Sequence, residues 1–160
     1  MMPIKIITTG GTIDKIYFDA KSEFQVGTSP IEQILKEANV SIEYDIESVL
    51  RKDSLEITED DRQLIRERVL AAKQDRVLIT HGTDTMINTG LALQGINKTV
   101  VMTGSMQPAR LRESDAIFNI GYAVAALQLL PVGIYVAMNG QIFNPLSARK
   151  NVAEHRFEVL

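Results

Sequence analysis

The chain has no cysteine. Disulfides, thiolate nucleophiles and cysteine-ligated metals are therefore excluded, and thiol chemistry gives no signal of compartment. No apolar run approaches the ~18 residues that a membrane-spanning helix needs, so no span is expected. Basic runs and interleaved basic and aromatic residues are also missing, and the formal net charge is −3. Both points argue against a dedicated nucleic-acid binder. The opening residues, Met1-Met2-Pro3-Ile4-Lys5-Ile6-Ile7, enter a strand pattern at once and lack the basic and apolar regions of a signal peptide. A cytoplasmic protein is the expectation. No repeat, low-complexity segment or linker divides the chain.

What is present suits one domain with its own core: 160 residues, 45% of them hydrophobic. Pro3 to Thr8 reads as a buried strand, ended by Gly10-Gly11. Asp14 to Thr28 has no sustained period and reads as a long loop or a short hairpin, the kind of segment that often serves as a lid. Ser29 and Pro30 predict a helix to about Ala38, with Ser29 as N-cap, Pro30 at N1 and Gln33 near the capping-box position. Ser41 to Leu50 alternates as a strand, and Arg51 to Glu56 is a polar connection. Thr58-Glu59-Asp60-Asp61 opens a second helix with acids in its first turn. Arg76 to Thr80, Lys98 to Thr103 and Pro131 to Met138 are further strands. Helical patterns run from Asp84 to Gln94 and from Ser114 to Leu130, and Ile142-Phe143 suits a short strand in a polar tail. This alternation predicts an α/β fold, a Rossmann-like three-layer sandwich whose mostly parallel sheet has about five strands.

Chemistry concentrates where strands end. Ile79-Thr80-His81-Gly82-Thr83-Asp84-Thr85-Met86 places hydroxyls, a carboxylate and an imidazole between a strand and a helix. Apolar packing needs none of these groups, and open α/β sheets place ligands at such turns. Ile7-Thr8-Thr9-Gly10-Gly11-Thr12-Ile13 repeats the grammar, and Gly104-Ser105-Met106 ends a third strand. Glycines there let backbone N–H groups approach a carboxylate or a developing oxyanion. The first turn matches neither G-x-G-x-x-G nor G-x-x-x-x-G-K-[ST], which argues against a phosphate site. A threonine attacks only if a neighbour takes its proton. His81 faces the opposite side of an extended segment and is assigned a hydrogen-bonding role inside the turn. A desolvated lysine oriented by Asp84 is an alternative base, but spacing does not say which lysine. Thr83 and Asp84 also suit a capping role for the helix that follows. Thr85 reads as structural, and Arg110 and Arg112 as surface or interface residues.

Together, Thr9-Gly10-Gly11-Thr12-Ile13 and His81-Gly82-Thr83-Asp84-Thr85-Met86 resemble the two signatures of the bacterial-type L-asparaginases. Val100 to Pro108, Ser114-Asp115 with Phe118-Asn119, and Asp53-Ser54-Leu55-Glu56 extend the resemblance. Matching Ala137-Met138-Asn139 to the family without gaps places its catalytic lysine at Lys150. The resemblance implies hydrolysis of L-asparagine, with L-glutamine as a weaker substrate, and no metal or organic cofactor. On the resemblance Thr12 attacks the amide while Thr83, Lys150 and Asp84 relay protons, with the order in which the two threonines attack left open. Gly11, Asp53, Ser54, Gly82 and Ser105 line the substrate site, and Asp84 pairs with the substrate ammonium.

Two departures stand out. The family pattern has a tyrosine where this chain has Phe24, which offers no donor or acceptor; Tyr17 in the same segment is the candidate replacement. Full-length members also continue into a smaller C-terminal domain, so residues 1–160 are read as the N-terminal, catalytic domain alone. The apolar surface that the second domain covers then predicts a homodimer or higher homo-oligomer. The competing readings are a degenerate module that binds an amino acid without turnover and an amidase half that feeds ammonia to a transamidase.

Overall fold

Alternating side chains divide each central strand between two apolar layers. In β1 (Ile4–Gly10), β5 (Arg76–Thr80) and β6 (Thr99–Thr103), Ile7, Val77, Ile79, Val100 and Met102 face one layer, while Ile6, Leu78 and Val101 face the other. Between β1 and β5 the chain forms β2 (Lys15–Phe18), β3 (Glu23–Val26), α1 (Ile31–Glu37), β4 (Tyr44–Lys52) and α2 (Glu59–Ala71). After β5 come α3 (Met86–Ala92), β6, α4 (Ala116–Leu129), β7 (Gly133–Met138), β8 (Gln141–Phe143), β9 (Ala148–Asn151) and β10 (Arg156–Val159). The computed structural model describes residues 2–18, 23–26 and 29–160.

The main sheet has six strands in the order β4-β1-β5-β6-β7-β8. The first five are parallel and β8 is antiparallel to β7. The expected alternation and its layers are thus present, with one more strand at the edge. Asn139 and Gly140, both at positive φ, turn the chain from β7 into β8. An Asn-Gly pair suits a two-residue hairpin turn of this kind.

Ile65 and Val69 of α2, Met86 of α3 and Phe157 of β10 cover one face of the sheet. Ile31 and Leu35 of α1 and Ala116, Ile120, Ala123 and Leu127 of α4 cover the other. Each of these buried side chains of Leu or Ile size contributes roughly 1.5–3 kcal/mol.

The helix ends follow local chemistry. Thr58 accepts from the Asp61 amide at 3.1 Å while Asp61 accepts from the Thr58 amide at 2.9 Å, a complete capping box. Cations close three helix C-termini, where carbonyls lack partners. Lys98 donates to the Ala72 and Gln74 carbonyls after α2, Arg66 to Ala92 and Gln94 after α3, and Arg76 to Leu127 and Leu130 at the end of α4.

The start of α1 corrects the expectation. Pro30, not Ser29, is the N-cap, and it has no side-chain cap. The Ser29 hydroxyl is engaged with the Asp14 carboxyl, and the Ile31 amide reaches its oxygen at only 3.4 Å. Gln33 bonds Glu37 instead of closing a capping box. The segment after Asp14 is a hairpin, β2 antiparallel to β3, with Tyr17 and Phe24 as cross-strand partners. The side chains of Tyr17 and Phe24 lie outside the described residues.

Candidate active site

Strand order locates the site. From β1 the chain leaves towards β4 on one side, and from β5 towards β6 on the other. The turns after β1 and β5 therefore diverge at a switch point, where open α/β sheets form a crevice.

The backbones of these turns touch. Gly11 has φ +82, and a Cβ on it would lie 2.4 Å from the Gly82 nitrogen. A Cβ on Gly82 would lie 2.5 Å from Cβ of Ser54. No larger residue fits either place without moving its neighbour. Thr12 and Thr83, each one residue further on, therefore leave adjoining points. Thr12 begins a short 3₁₀ turn and is half-buried; Thr83 is buried.

Lys150 reaches this junction from β9. Lys150 is paired with Phe157 across the β9–β10 hairpin, and partners in an antiparallel ladder project from the same face. Phe157 is buried against Phe143, with ring centroids 6.2 Å apart. Anchoring Phe157 in the core thus turns Lys150 inward. Its Nζ donates to Thr83 Oγ1 at 2.8 Å and to Asp84 Oδ1 at 2.6 Å. The Lys150 side chain is 13% exposed and that of Asp84 41%.

Neither Thr83 nor Asp84 caps the helix behind it. α3 starts at Met86 with Thr85 in the N-cap position and no side-chain cap. The Thr85 hydroxyl donates instead to the Ser54 carbonyl at 2.7 Å, a structural tie as expected. His81 also fills the role expected of it. It is fully buried, with Nδ1 2.7 Å from the Gly82 carbonyl and Nε2 2.7 Å from Thr89 Oγ1. Burial holds its pKa down at about 4, the Gly82 carbonyl opposes this, and nearby Arg62 adds to it.

The remaining candidates differ in how free they are. Ser54 is buried against Gly82. Asp53 caps its own 3₁₀ turn by accepting from the Leu55 amide at 3.1 Å and pairs with Lys15 at 3.4 Å. The Ser105 hydroxyl donates to the Gln107 carbonyl within its own turn. Asp115 pins that turn by accepting from the Met106 amide at 2.9 Å and the Gln107 amide at 3.1 Å. Asn119 donates to the Gly104 carbonyl at 2.9 Å and to Asp115 at 3.0 Å. Arg110 and Arg112 are exposed.

The sequence reading missed Asp14. It is 1% exposed, and its Oδ1 has no partner among the described residues. Burial pushes its pKa up to about 7, against the Ser29 and Gly10 hydrogen bonds and the charges of Arg110 and Arg51. No signal in Thr12-Ile13-Asp14-Lys15 announces it, since carboxylates are rarely buried. Among the described residues, no group of three or more His, Asp or Glu is placed to hold a metal ion. No helix there is long and apolar enough to cross a membrane.

The family model "Asparaginase, N-terminal" matches residues 3–158. The chain belongs to the asparaginase N-terminal domain family. An L-asparaginase structure from Thermococcus kodakarensis superposes on this asparaginase-type domain with a TM-score of 0.86 at 28% identity, over 99% of this chain and 51% of that one. A glutaminase-asparaginase of Acinetobacter glutaminasificans is 28% identical in an alignment that covers 95% of this chain and 50% of its own length. A component of the glutamyl-tRNA(Gln) amidotransferase of Aeropyrum pernix is 39% identical over 80 residues, 46% of this chain and 19% of its own. The asparaginase-type domain spans about half the length of the asparaginases it matches.

Proposed function

We propose that this domain hydrolyses the side-chain amide of L-asparagine to L-aspartate and ammonia, with L-glutamine a weaker substrate. The observation that carries the reading is the pair of hydrogen bonds that Lys150 Nζ donates to Thr83 and Asp84 beside the Thr12 turn. The hydroxyl oxygen of Thr12 attacks the amide carbon and its proton passes into the Thr83–Lys150–Asp84 group. The C–N bond breaks, and the nitrogen leaves as ammonia with that proton. Water then attacks the acyl-threonine ester, gives its proton to the same group, and releases aspartate with Thr12 restored. Lys150 suits this traffic because one nitrogen faces both a hydroxyl and a carboxylate. Ser54 and the close-packed Gly11 and Gly82 backbones are proposed to hold the substrate's α-carboxylate. Asp84, the most exposed of the relay groups, is proposed to pair with its ammonium. No metal or organic cofactor enters the scheme.

Ammonia release from asparagine by the purified protein, compared with Thr12→Ala, tests the reading. No release above the variant's would sink it. Asparagine-induced thermal stabilisation without turnover would then favour a binding module. The amidotransferase relative supports a second reading, in which the domain supplies ammonia to a partner enzyme. Turnover appearing only with a second gene product would favour that one.

Self-association is proposed on a separate observation. The 14-residue α4 carries no charged side chain, and Ile117, Phe118 and Leu129 are exposed on it. An uncharged helix with large apolar side chains left in solvent is normally covered, and a second copy of the chain is the proposed cover. A cytoplasmic location remains the proposal from sequence.

A further inference from the structure

A buried hydrogen-bond chain ends on the peptide that presents Thr83. Arg62 of α2, itself buried, brings Nε to 3.3 Å from Thr89 Oγ1, which is 2.7 Å from His81 Nε2. His81 Nδ1 lies 2.7 Å from the Gly82 carbonyl. With the buried ring neutral, only one arrangement of hydrogens satisfies this chain. A carbonyl only accepts, so Nδ1 carries the ring hydrogen. Nε2 is then an acceptor, so the Thr89 hydroxyl donates to it. The Thr89 oxygen in turn accepts from Arg62.

The Gly82 carbonyl is thereby fixed towards the imidazole. The described chain has no cis peptide bond, and a trans peptide points its N–H opposite its carbonyl. The Thr83 amide therefore faces away from His81. It donates to no acceptor among the described residues.

We propose that His81 is a positioning residue: by donating to the Gly82 carbonyl it sets the plane of the Gly82–Thr83 peptide, and so aims both the free amide and the hydroxyl of Thr83 at the substrate amide. This rests on the amidohydrolase reading above. Full burial suits the task, because the ring stays neutral and keeps one tautomer through the working pH range. Arg62 and Thr89 hold the far side of the ring, so the imidazole cannot swing away without leaving the Thr89 hydroxyl hydrogen without its acceptor.

Two amide variants separate aim from packing. The Asn side chain places an N–H where Nδ1 stands and keeps the bond to Gly82. The Gln side chain reaches the Nε2 position, keeps Thr89 and loses Gly82. His81→Gln is expected to lower kcat for asparagine about 10- to 100-fold with KM within about twofold, while His81→Asn recovers most of the loss. In ¹⁵N-labelled protein, the imidazole is expected as the Nδ1–H tautomer, and the Thr83 amide resonance shifts in His81→Gln more than in His81→Asn. A folded His81→Gln with wild-type kcat overturns the proposal. So does an Nε2–H tautomer, or a Thr83 amide indifferent to both variants. Should His81→Gln not fold, Thr89→Val carries the same test: it frees the ring, a kcat-specific loss is expected, and an unchanged kcat overturns the idea. If the wild type releases no ammonia, the amidohydrolase reading fails on its own, and the NMR measurements still decide whether His81 orients the peptide.

Discussion

Lys150 Nζ lies 2.8 Å from Thr83 Oγ1, although 67 residues separate them in the chain. The bond is possible because β9 pairs with β10 in a register that sets Lys150 opposite the buried Phe157. If Lys150 carries protons for the attacking threonine, Lys150→Met should lower kcat by about 10²–10⁴-fold, the usual worth of a general acid or base. The fold should survive, since the lysine spans no apolar core. An ammonia-release assay beside a thermal melt checks both parts, and a variant with near-native turnover would remove Lys150 from the mechanism.

Phe157→Ala should act on the same lysine indirectly. Emptying that buried position is expected to cost about 3–5 kcal/mol. It should also loosen the hairpin that aims Lys150. Activity should therefore fall at temperatures where circular dichroism still reports folded protein. Loss of activity only in step with global unfolding would argue against this coupling.

Gly11→Ala should be damaging out of proportion to one methyl group. The residue has φ +82, and the added carbon would meet the Gly82 nitrogen at 2.4 Å. A non-glycine residue held in such a conformation costs about 1–3 kcal/mol, and relief requires the two turns to part. Turnover should fall sharply while urea titration shows a loss of that order. A fully active Gly11→Ala would show that the turns have slack.

Two buried groups give stability opposite dependences on pH. Asp14 has its pKa raised from 3.8 to about 7, so its contribution is fully present below 3.8 and is lost as pH rises towards 7. His81 has its pKa lowered from 6.5 to about 4, so its contribution is present above 6.5 and is lost as pH falls towards 4. The two slopes overlap and offset each other across that shared window. Removing one should expose the other. Asp14→Asn is expected to gain stability from pH 4 to 6.5, and His81→Gln to lose it, each by on the order of 3 kcal/mol. Urea midpoints at several pH values measure this; parallel profiles for both variants and wild type would refute the assignment.

Light scattering coupled to gel filtration should report a mass above that of one chain. Phe118→Glu combined with Leu129→Lys should return it to a single chain, because both residues are exposed on α4 and sit outside the core. A wild-type protein that elutes as a monomer at high concentration would end the self-association proposal.

What could be read in the sequence was whatever depends on neighbours in the chain. The short apolar runs of β1, β5 and β6, the acids and threonine opening α2, and the polar turns after β1 and β5 all follow from local rules. Asn139-Gly140 carried a further local signal, for the reversal into β8. Where distant groups compete, local rules fail. Ser29 has the chemistry of an N-cap, but Asp14, 15 residues earlier in the sequence, occupies its hydroxyl. His81 was legible as a turn residue, yet Thr89 and Arg62, which fix its tautomer, come from α3 and α2. Lys150 sits on a short polar strand with no periodicity to announce it, and only the family register located it.

The lateness of Lys150 in the chain orders events during synthesis. By the time β6 has left the ribosome, Thr12 and Thr83 can already meet at the switch point, because β1 and β5 pair directly. Lys150 cannot join them until β10 has emerged and Phe157 has docked. A nascent chain halted before that point would have its two glycine turns packed together and no lysine bonded to Thr83 and Asp84.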